Sequence, residues 1–225
     1  MITTCLFDLD GTLLDTLGGI THFVNQTARK YGFGEITPEQ TKVFVGNGAE
    51  MLIRRAFLAG GLDPDADPAL FRRALGDYNA AYDADCYYKT APYPGIPEAL
   101  AGLKARRIRL GVISNKPDPT AKSTVRHFFP GVFDEVLGAR EGVALKPDPA
   151  GAKELCALLG ASPEQALYFG DTGTDMKTGL ALGAAKTVGV LWGFRSREEL
   201  EENHAQMIIG HPSEILGILN EFEKG

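Results

Sequence analysis

Cys5–Thr16 reads CLFDLDGTLLDT: an apolar run, then two carboxylates one residue apart, Asp8 and Asp10, then Gly11. Thr3 to Phe7 carries no helical period, so it reads as a short buried strand that ends where the acids begin. Similar runs recur downstream at Leu110–Ile113, Glu135–Leu137, Leu167–Phe169 and Thr187–Val190. Helical stripes accompany them: Ile96, Ala99, Leu100 and Leu103, then Ala152, Leu155, Cys156 and Leu159, and finally Ile215, Leu216, Leu219 and Phe222. This alternation predicts an α/β fold, a doubly wound and mainly parallel sheet covered on both faces.

The rhythm breaks once. About a hundred residues separate the first strand from the second, where a βαβ crossover needs only a few dozen. The intervening pattern is helical, with one stripe of Ile20, Phe23, Val24, Thr27, Ala28 and Tyr31, another of Phe71, Ala74, Leu75, Tyr78 and Tyr82, and a helix over Gly48–Phe57 between them. Asp15 or Thr16 is the expected N-cap at the entry, Leu13 and Leu14 lead the chain into the insertion, and the Pro-rich Ala91–Gly95 (APYPG) is a stiff exit. The expected organisation is therefore a catalytic core of residues 1–14 and 91–225 with a helical cap domain of residues 15–90.

Composition bounds the partners. The 225-residue chain is 44% hydrophobic, enough for a normal core, and its net charge of −6 repels nucleic-acid backbones and anionic membranes. The three cysteines, Cys5, Cys86 and Cys156, are too scattered for a disulfide framework or a structural zinc site. No signal-peptide pattern opens the chain, and no apolar run approaches the roughly 20 residues that cross a bilayer. A cytoplasmic protein is expected, with neither nucleic acid nor membrane as a partner.

In open parallel sheets ligands bind beyond the carboxyl ends of the strands, so the residues placed there matter most. Strand one is followed by Asp8 and Asp10, strand two by Ser114, Asn115 and Lys116, and the strand at Leu167 by Gly170, Asp171 and then Asp175, with Lys146 between the third and fourth strands. Singly, each has a plain reading as a turn, a helix cap or a solvated charge. Together they suggest a site. Asp8, Asp10, Asp171 and Asp175 in one pocket would repel one another and supply the oxygen ligands that suit Mg²⁺. Lys146, the Ser114 hydroxyl and the Asn115 amide supply donors for a phosphoryl group. A carboxylate so placed can attack phosphorus to give an aspartyl-phosphate, and the second acid can protonate the leaving alkoxide and then activate water.

Other motifs fail. Gly11 falls at the fourth position of a calcium-loop pattern that needs glycine at the sixth, Val45–Met51 (VGNGAEM) lacks the third glycine of a dinucleotide fingerprint, and the chain has no phosphate loop, nucleophile elbow or zinc-protease pair. His22, His127, His204 and His211 lie apart with no ligand-like spacing, which favours packing or surface positions. Trp192, the single tryptophan, reads either as a wall of the pocket or as packing.

These residues resemble the haloacid dehalogenase superfamily of phosphohydrolases, in particular its members with a helical cap after the first strand. The four family motifs appear in order, as DLDGT from Asp8, Ser114, Lys146 and GDTGTD from Gly170. The resemblance implies a Rossmann-like core and a set of roles: Asp8 as nucleophile, Asp10 as general acid/base, Ser114 and Lys146 as phosphoryl ligands, and Asp171 with Asp175 as metal-side acids. It also implies a backbone carbonyl ligand for Mg²⁺ at Asp10 and a specificity loop at Gly46, Asn47 and Gly48. VGNGAEMLIRRA, YPGIPEAL, VISNKPD and VLWGFRSREEL look most like phosphoglycolate phosphatases. Gly179 departs from the pattern, where relatives more often carry Ala, and is expected to loosen its helix.

The leading expectation is a Mg²⁺-dependent phosphatase of a small phosphorylated metabolite, with 2-phosphoglycolate the best single substrate. Relatives that isomerise β-phosphoglucose or hydrolyse pyrophosphate, deoxysugar phosphates or nucleotides share these residues. A signalling receiver also phosphorylates an Asp beside Mg²⁺, but its acceptor normally follows the third strand, and here Asp10 stands ready to destroy the phosphoaspartate.

Overall fold

In the computed structural model, which describes residues 1–223, the opening apolar run is β1 (Thr4–Phe7). Lys224 and Gly225, the end of the predicted core segment, lie outside the described residues. Successive side chains of a strand point to opposite faces, and β1 uses both: Cys5 and Phe7 enter one hydrophobic cluster and Leu6 the other. The chain continues through β2 (Leu14–Asp15), α1 (Leu17–Tyr31), α2 (Pro38–Phe44), α3 (Ala49–Ala59), α4 (Pro68–Ala84) and β3 (Ala91–Pro92). After these come α5 (Ile96–Ala105), β4 (Arg109–Pro117), α6 (Asp118–Phe128), β5 (Glu135–Ala139), α7 (Ala150–Leu158) and β6 (Ala166–Gly170). The last elements are α8 (Gly173–Leu182), β7 (Lys186–Val190), α9 (Arg197–Glu202), β8 (Met207–Ile209) and α10 (Ile215–Glu223).

Two compact units result, one of Met1–Asp15 with Pro92–Gly225 and one of Thr16–Ala91. The first holds a six-stranded sheet in the order β5-β4-β1-β6-β7-β8, with every neighbouring pair parallel. Phe7 is in register with Val112 on β4 and with Phe169 on β6. From β1 the chain winds outward through β4 and β5, then returns to wind the other way through β6, β7 and β8. The order therefore reverses at β1 and β6, and a crevice opens beyond their carboxyl ends. Asp8 follows β1 and Asp171 follows β6.

Several details depart from the sequence reading. β4 does not stop at Ile113; it runs through Ser114, Asn115 and Lys116 to Pro117, with a shift in register against β5. β8 and α6 were not expected. β8 spans only three residues, and α6 buries Thr120 and Thr124 beside Ala121 and Val125, so its stripe is half polar. α2 did have a local signal, because Thr37 and Gln40 form a capping box around Pro38. Thr16 stands at the N-cap position of α1 yet makes no cap, and its hydroxyl is buried without a partner among the described residues. Leu13 and Leu14 do more than lead the chain away, since with Leu9 they are fully buried in the cluster that receives Phe7. Burial of each leucine contributes about 1.5–3 kcal/mol, which anchors the turn between them.

Gly179 has a packing reason beyond the helix loosening that was expected. A Cβ there would lie 2.6 Å from Thr187 Oγ1 and 2.8 Å from its Cγ2, so the glycine lets α8 approach β7. Gly179→Ala should gain about 1 kcal/mol of helix propensity but lose about 1–3 kcal/mol to overpacking, a net destabilisation. The Thr187 hydroxyl is buried without a partner among the described residues, so adding Thr187→Ala should restore stability in urea denaturation. A Gly179→Ala protein more stable than wild type would contradict this packing account.

Candidate active site

The turn after β1 is built by its backbone. The Asp8 N–H donates to the Phe169 carbonyl at 2.9 Å, which extends the β1–β6 ladder by one residue and sets the Asp8 side chain at the switch point. The chain then folds back, with Leu13 N–H and Leu14 N–H donating to the Leu9 carbonyl and Gly11 N–H to the Leu14 carbonyl. Gly11 adopts a φ of +86°, and a Cβ there would stand 2.3 Å from Asp171 Oδ2. Only glycine satisfies both conditions.

Asp8, Asp171 and Asp175 are brought together, each offering a carboxylate oxygen within 4.8 Å of the others, all buried. Lys146 is buried with them, its Nζ 2.8 Å from Asp8 Oδ1 and 2.7 Å from Asp175 Oδ1. Asp8 Oδ1 also accepts the Leu9 N–H at 2.7 Å. Asp175 is further occupied, because its Oδ2 accepts the Thr172 hydroxyl at 2.6 Å and the Thr172 N–H at 3.1 Å in the capping box that opens α8. It therefore serves both as helix cap and as a counter-charge that aims Lys146.

Burial, reinforced by Asp175, drives the Asp8 carboxyl well above the usual carboxylate range, against the opposing pull of Lys146. Burial and Asp175 likewise push Asp171 up to about 7, although the Phe194 N–H and the Thr12 hydroxyl draw it down. Lys146 is held well above its ordinary value: burial works against its charge, but Asp175 and Asp8 outweigh it. Clustered buried acids with one shared ammonium are the donor set a hard divalent cation fits, since oxygen ligands and unbalanced negative charge meet in one place.

Two expected members are placed differently. The Asp10 carboxylate is not in that triad; Lys116 Nζ donates to its Oδ1 at 2.9 Å and to its Oδ2 at 3.1 Å. The Lys116 side chain is 5% exposed and that of Asp10 21%, so Asp10 is the more open of the two. The Asn115 side chain, expected among the phosphoryl donors, is turned to the backbone of Lys146. Its Nδ2 donates to the Lys146 carbonyl at 3.1 Å and its Oδ1 accepts the Lys146 N–H at 2.9 Å. It thus positions Lys146. Ser114 is buried, and its Oγ accepts the Lys116 N–H at 3.2 Å.

Sequence reasoning left the roles of Lys116 and Trp192 open and passed over Thr172, Phe194 and Tyr168, whose hydroxyl lies 3.5 Å from Asp175 Oδ1. Thr172 carried a readable signal, a Thr-x-x-Asp capping box inside the GDTGTD motif. The Trp192 indole N–H donates to the Thr12 carbonyl at 2.9 Å. Gly46, Asn47 and Gly48 lie in the other unit, between α2 and α3, with φ of +107° at Gly46 and +84° at Gly48. There the Arg55 guanidinium donates to the Phe44 carbonyl at 2.7 Å and to Asn47 Oδ1 at 3.0 Å, bracing the loop.

A parallel sheet whose switch point gathers three buried carboxylates, two of them paired with one buried lysine, defines an α/β protein with a site able to hold a metal ion. The chain belongs to the haloacid dehalogenase-like hydrolase family, whose model matches residues 5–190. It is 37% identical over 198 residues to a phosphoglycolate phosphatase of Rhodospirillum rubrum, covering 86% of this chain and 80% of that one. It is 30% identical over 217 residues to an N-acetylmuramic acid 6-phosphate phosphatase of Pseudomonas aeruginosa, covering 96% and 93%. Among solved structures, a haloacid dehalogenase-like family hydrolase from Streptococcus pneumoniae superposes with a TM-score of 0.84 at 25% identity, covering 97% of this chain and 98% of that one. No helix among the described residues is long and apolar enough to cross a membrane.

Proposed function

We propose that this phosphoric monoester hydrolase acts on 2-phosphoglycolate, with Asp8 as nucleophile. The observation that carries the mechanism is the Asp8–Lys146 pair at 2.8 Å beyond the switch point, with Asp10 two residues on in the following turn. The Asp8 carboxylate attacks phosphorus and the bond to the leaving oxygen breaks, while Asp10 delivers a proton to that oxygen. Glycolate departs and the phosphoryl group rests on Asp8. Asp10, now the base, takes a proton from a water that attacks the aspartyl-phosphate and releases inorganic phosphate. Lys146 and the Ser114 hydroxyl hold the phosphoryl oxygens, and Asn115 keeps Lys146 aimed.

Asp8, Asp171 and Asp175, together with the Asp10 backbone carbonyl, would hold Mg²⁺. When bound it neutralises phosphoryl charge. The Thr16–Ala91 unit acts as a cap, and its Gly46–Gly48 loop, with Asn47 held by Arg55, selects the leaving group. Buried thiols at Cys5, Cys86 and Cys156 favour a reducing, cytoplasmic setting.

The substrate rests on relatives named phosphoglycolate phosphatase. The Pseudomonas aeruginosa relative supports a second reading, a sugar-acid phosphate. Phosphate release should be measured with Mg²⁺ present and absent on 2-phosphoglycolate, N-acetylmuramic acid 6-phosphate, hexose phosphates and pyrophosphate, with product analysis for β-glucose 1-phosphate. The expected result is a kcat/KM for 2-phosphoglycolate at least tenfold above the rest. A higher value for a sugar phosphate would replace this substrate.

A further inference from the structure

We infer that the loop Trp192–Phe194, together with Thr12, is the positioning element of the cation site, holding the Asp171 carboxylate in one orientation before the ion arrives. This rests on the reading of Asp8, Asp171 and Asp175 as that site.

Asp171 is fully buried among like charges, so a carboxylate able to rotate would turn away from Asp8 and Asp175. Two donors oppose this from opposite ends. The Thr12 hydroxyl donates to Oδ1 at 2.9 Å, and the Phe194 N–H donates to Oδ2 at 2.8 Å. Each oxygen can accept in two directions, so each keeps a lone pair beyond its donor, and one of the two oxygens lies within 4.8 Å of Asp8 and Asp175 oxygens. The two donors come from segments that are themselves tied together, because the Trp192 indole N–H donates to the carbonyl of Thr12 at 2.9 Å. Gly193 closes the frame, since a Cβ on it would lie 2.3 Å from Asp171 Cβ and 2.4 Å from the Gly11 carbonyl oxygen. The nucleophile turn, the acid after β6 and the loop after β7 thus interlock on one carboxylate.

Outer partners of this kind set metal affinity, and their loss typically lowers it about 10–100-fold. The test uses the full chain stripped of cations and titrated with Mg²⁺ by calorimetry, with Trp192 fluorescence as a second readout where the indole is retained. Thr12→Val removes the donor at nearly constant shape and should weaken Mg²⁺ about 10–100-fold, whereas Thr12→Ser keeps the hydroxyl and should stay within about threefold of wild type. Trp192→Phe keeps a ring without the N–H and should weaken binding about tenfold, with the apparent KM for Mg²⁺ rising in parallel and turnover recovering as Mg²⁺ is raised. A purely structural role would instead lower the melting temperature and leave Mg²⁺ affinity alone. Wild-type affinity in Thr12→Val or Trp192→Phe overturns the inference, as does a Thr12→Ser protein as weak as Thr12→Val. If Thr12→Val does not fold, the contrast between Thr12→Ser and Trp192→Phe decides. A wild-type protein that binds no Mg²⁺ overturns the cation reading itself, and the inference with it.

Discussion

Asp8→Asn should abolish turnover, by about 10⁴-fold or more, and yet raise the melting temperature of the cation-free protein. The two effects share a cause. An amide cannot supply the anionic oxygen that attacks phosphorus, so phosphate release on any ester should fall to background. The same change removes one of three carboxylates buried together. The amide keeps an oxygen in place to accept the Leu9 N–H and the Lys146 ammonium, which meet Asp8 Oδ1 at 2.7 and 2.8 Å. Burial and Asp175 already hold the Asp8 carboxyl well above the usual range, so its ionised form opposes folding at neutral pH. A folded-state value raised above the unfolded one contributes stability below the unfolded value that is lost as pH rises. The gain from Asp8→Asn should therefore be near zero at about pH 4 and grow to about 1–3 kcal/mol at pH 8 in chelator, read by calorimetry. Phosphate binding that depends on Mg²⁺ should survive. Hydrolysis near the wild-type rate, or a lower melting temperature at pH 8, would contradict this assignment of Asp8.

That trade explains why some of the site was legible in the chain and some was not. Asp8, Lys146, Asp171 and Asp175 could be read because strand ends on one edge of a parallel sheet converge, and the parallel sheet itself followed from simple alternation. What alternation cannot carry is direction. Ser114 and Asn115 looked like residues after a strand, but β4 continues through them, and neither the shift in register there nor the bond from Asn115 to Lys146 leaves a periodic trace. Lys116 and Asp10 are 106 positions apart, and only the β1–β4 pairing makes them neighbours. The Trp192–Thr12 bond spans 180 positions and depends on a loop with no repeat to read. Gly179 was only half legible, because propensity describes a helix alone, whereas its packing reason lies in Thr187 on the strand beneath.

Lys146→Met tests the electrostatics from the opposite side and should produce the largest loss of stability. The Lys146 side chain is 4% exposed and carries the ammonium shared by Asp8 and Asp175, so methionine keeps most of its volume while leaving both carboxylates without their counter-charge. Removing one partner of a buried pair costs about 3–5 kcal/mol. Activity should vanish as well, because the phosphoryl group loses its cation. Adding Asp175→Asn should recover part of the stability and none of the activity. The oxygen of the introduced amide can keep the Thr172 bonds of the helix cap, which Asp175 makes at 2.6 and 3.1 Å, while the amide nitrogen turns toward Asp8 where the ammonium had been. Asp175→Asn alone should destabilise, since that nitrogen would then face the Lys146 ammonium. The two single costs should therefore exceed the cost of the double variant by about 1–3 kcal/mol in a denaturation cycle. Strict additivity would mean that Asp175 does not aim Lys146. In that case the role of Asp175 would lie in the cap of α8 and the cation site alone.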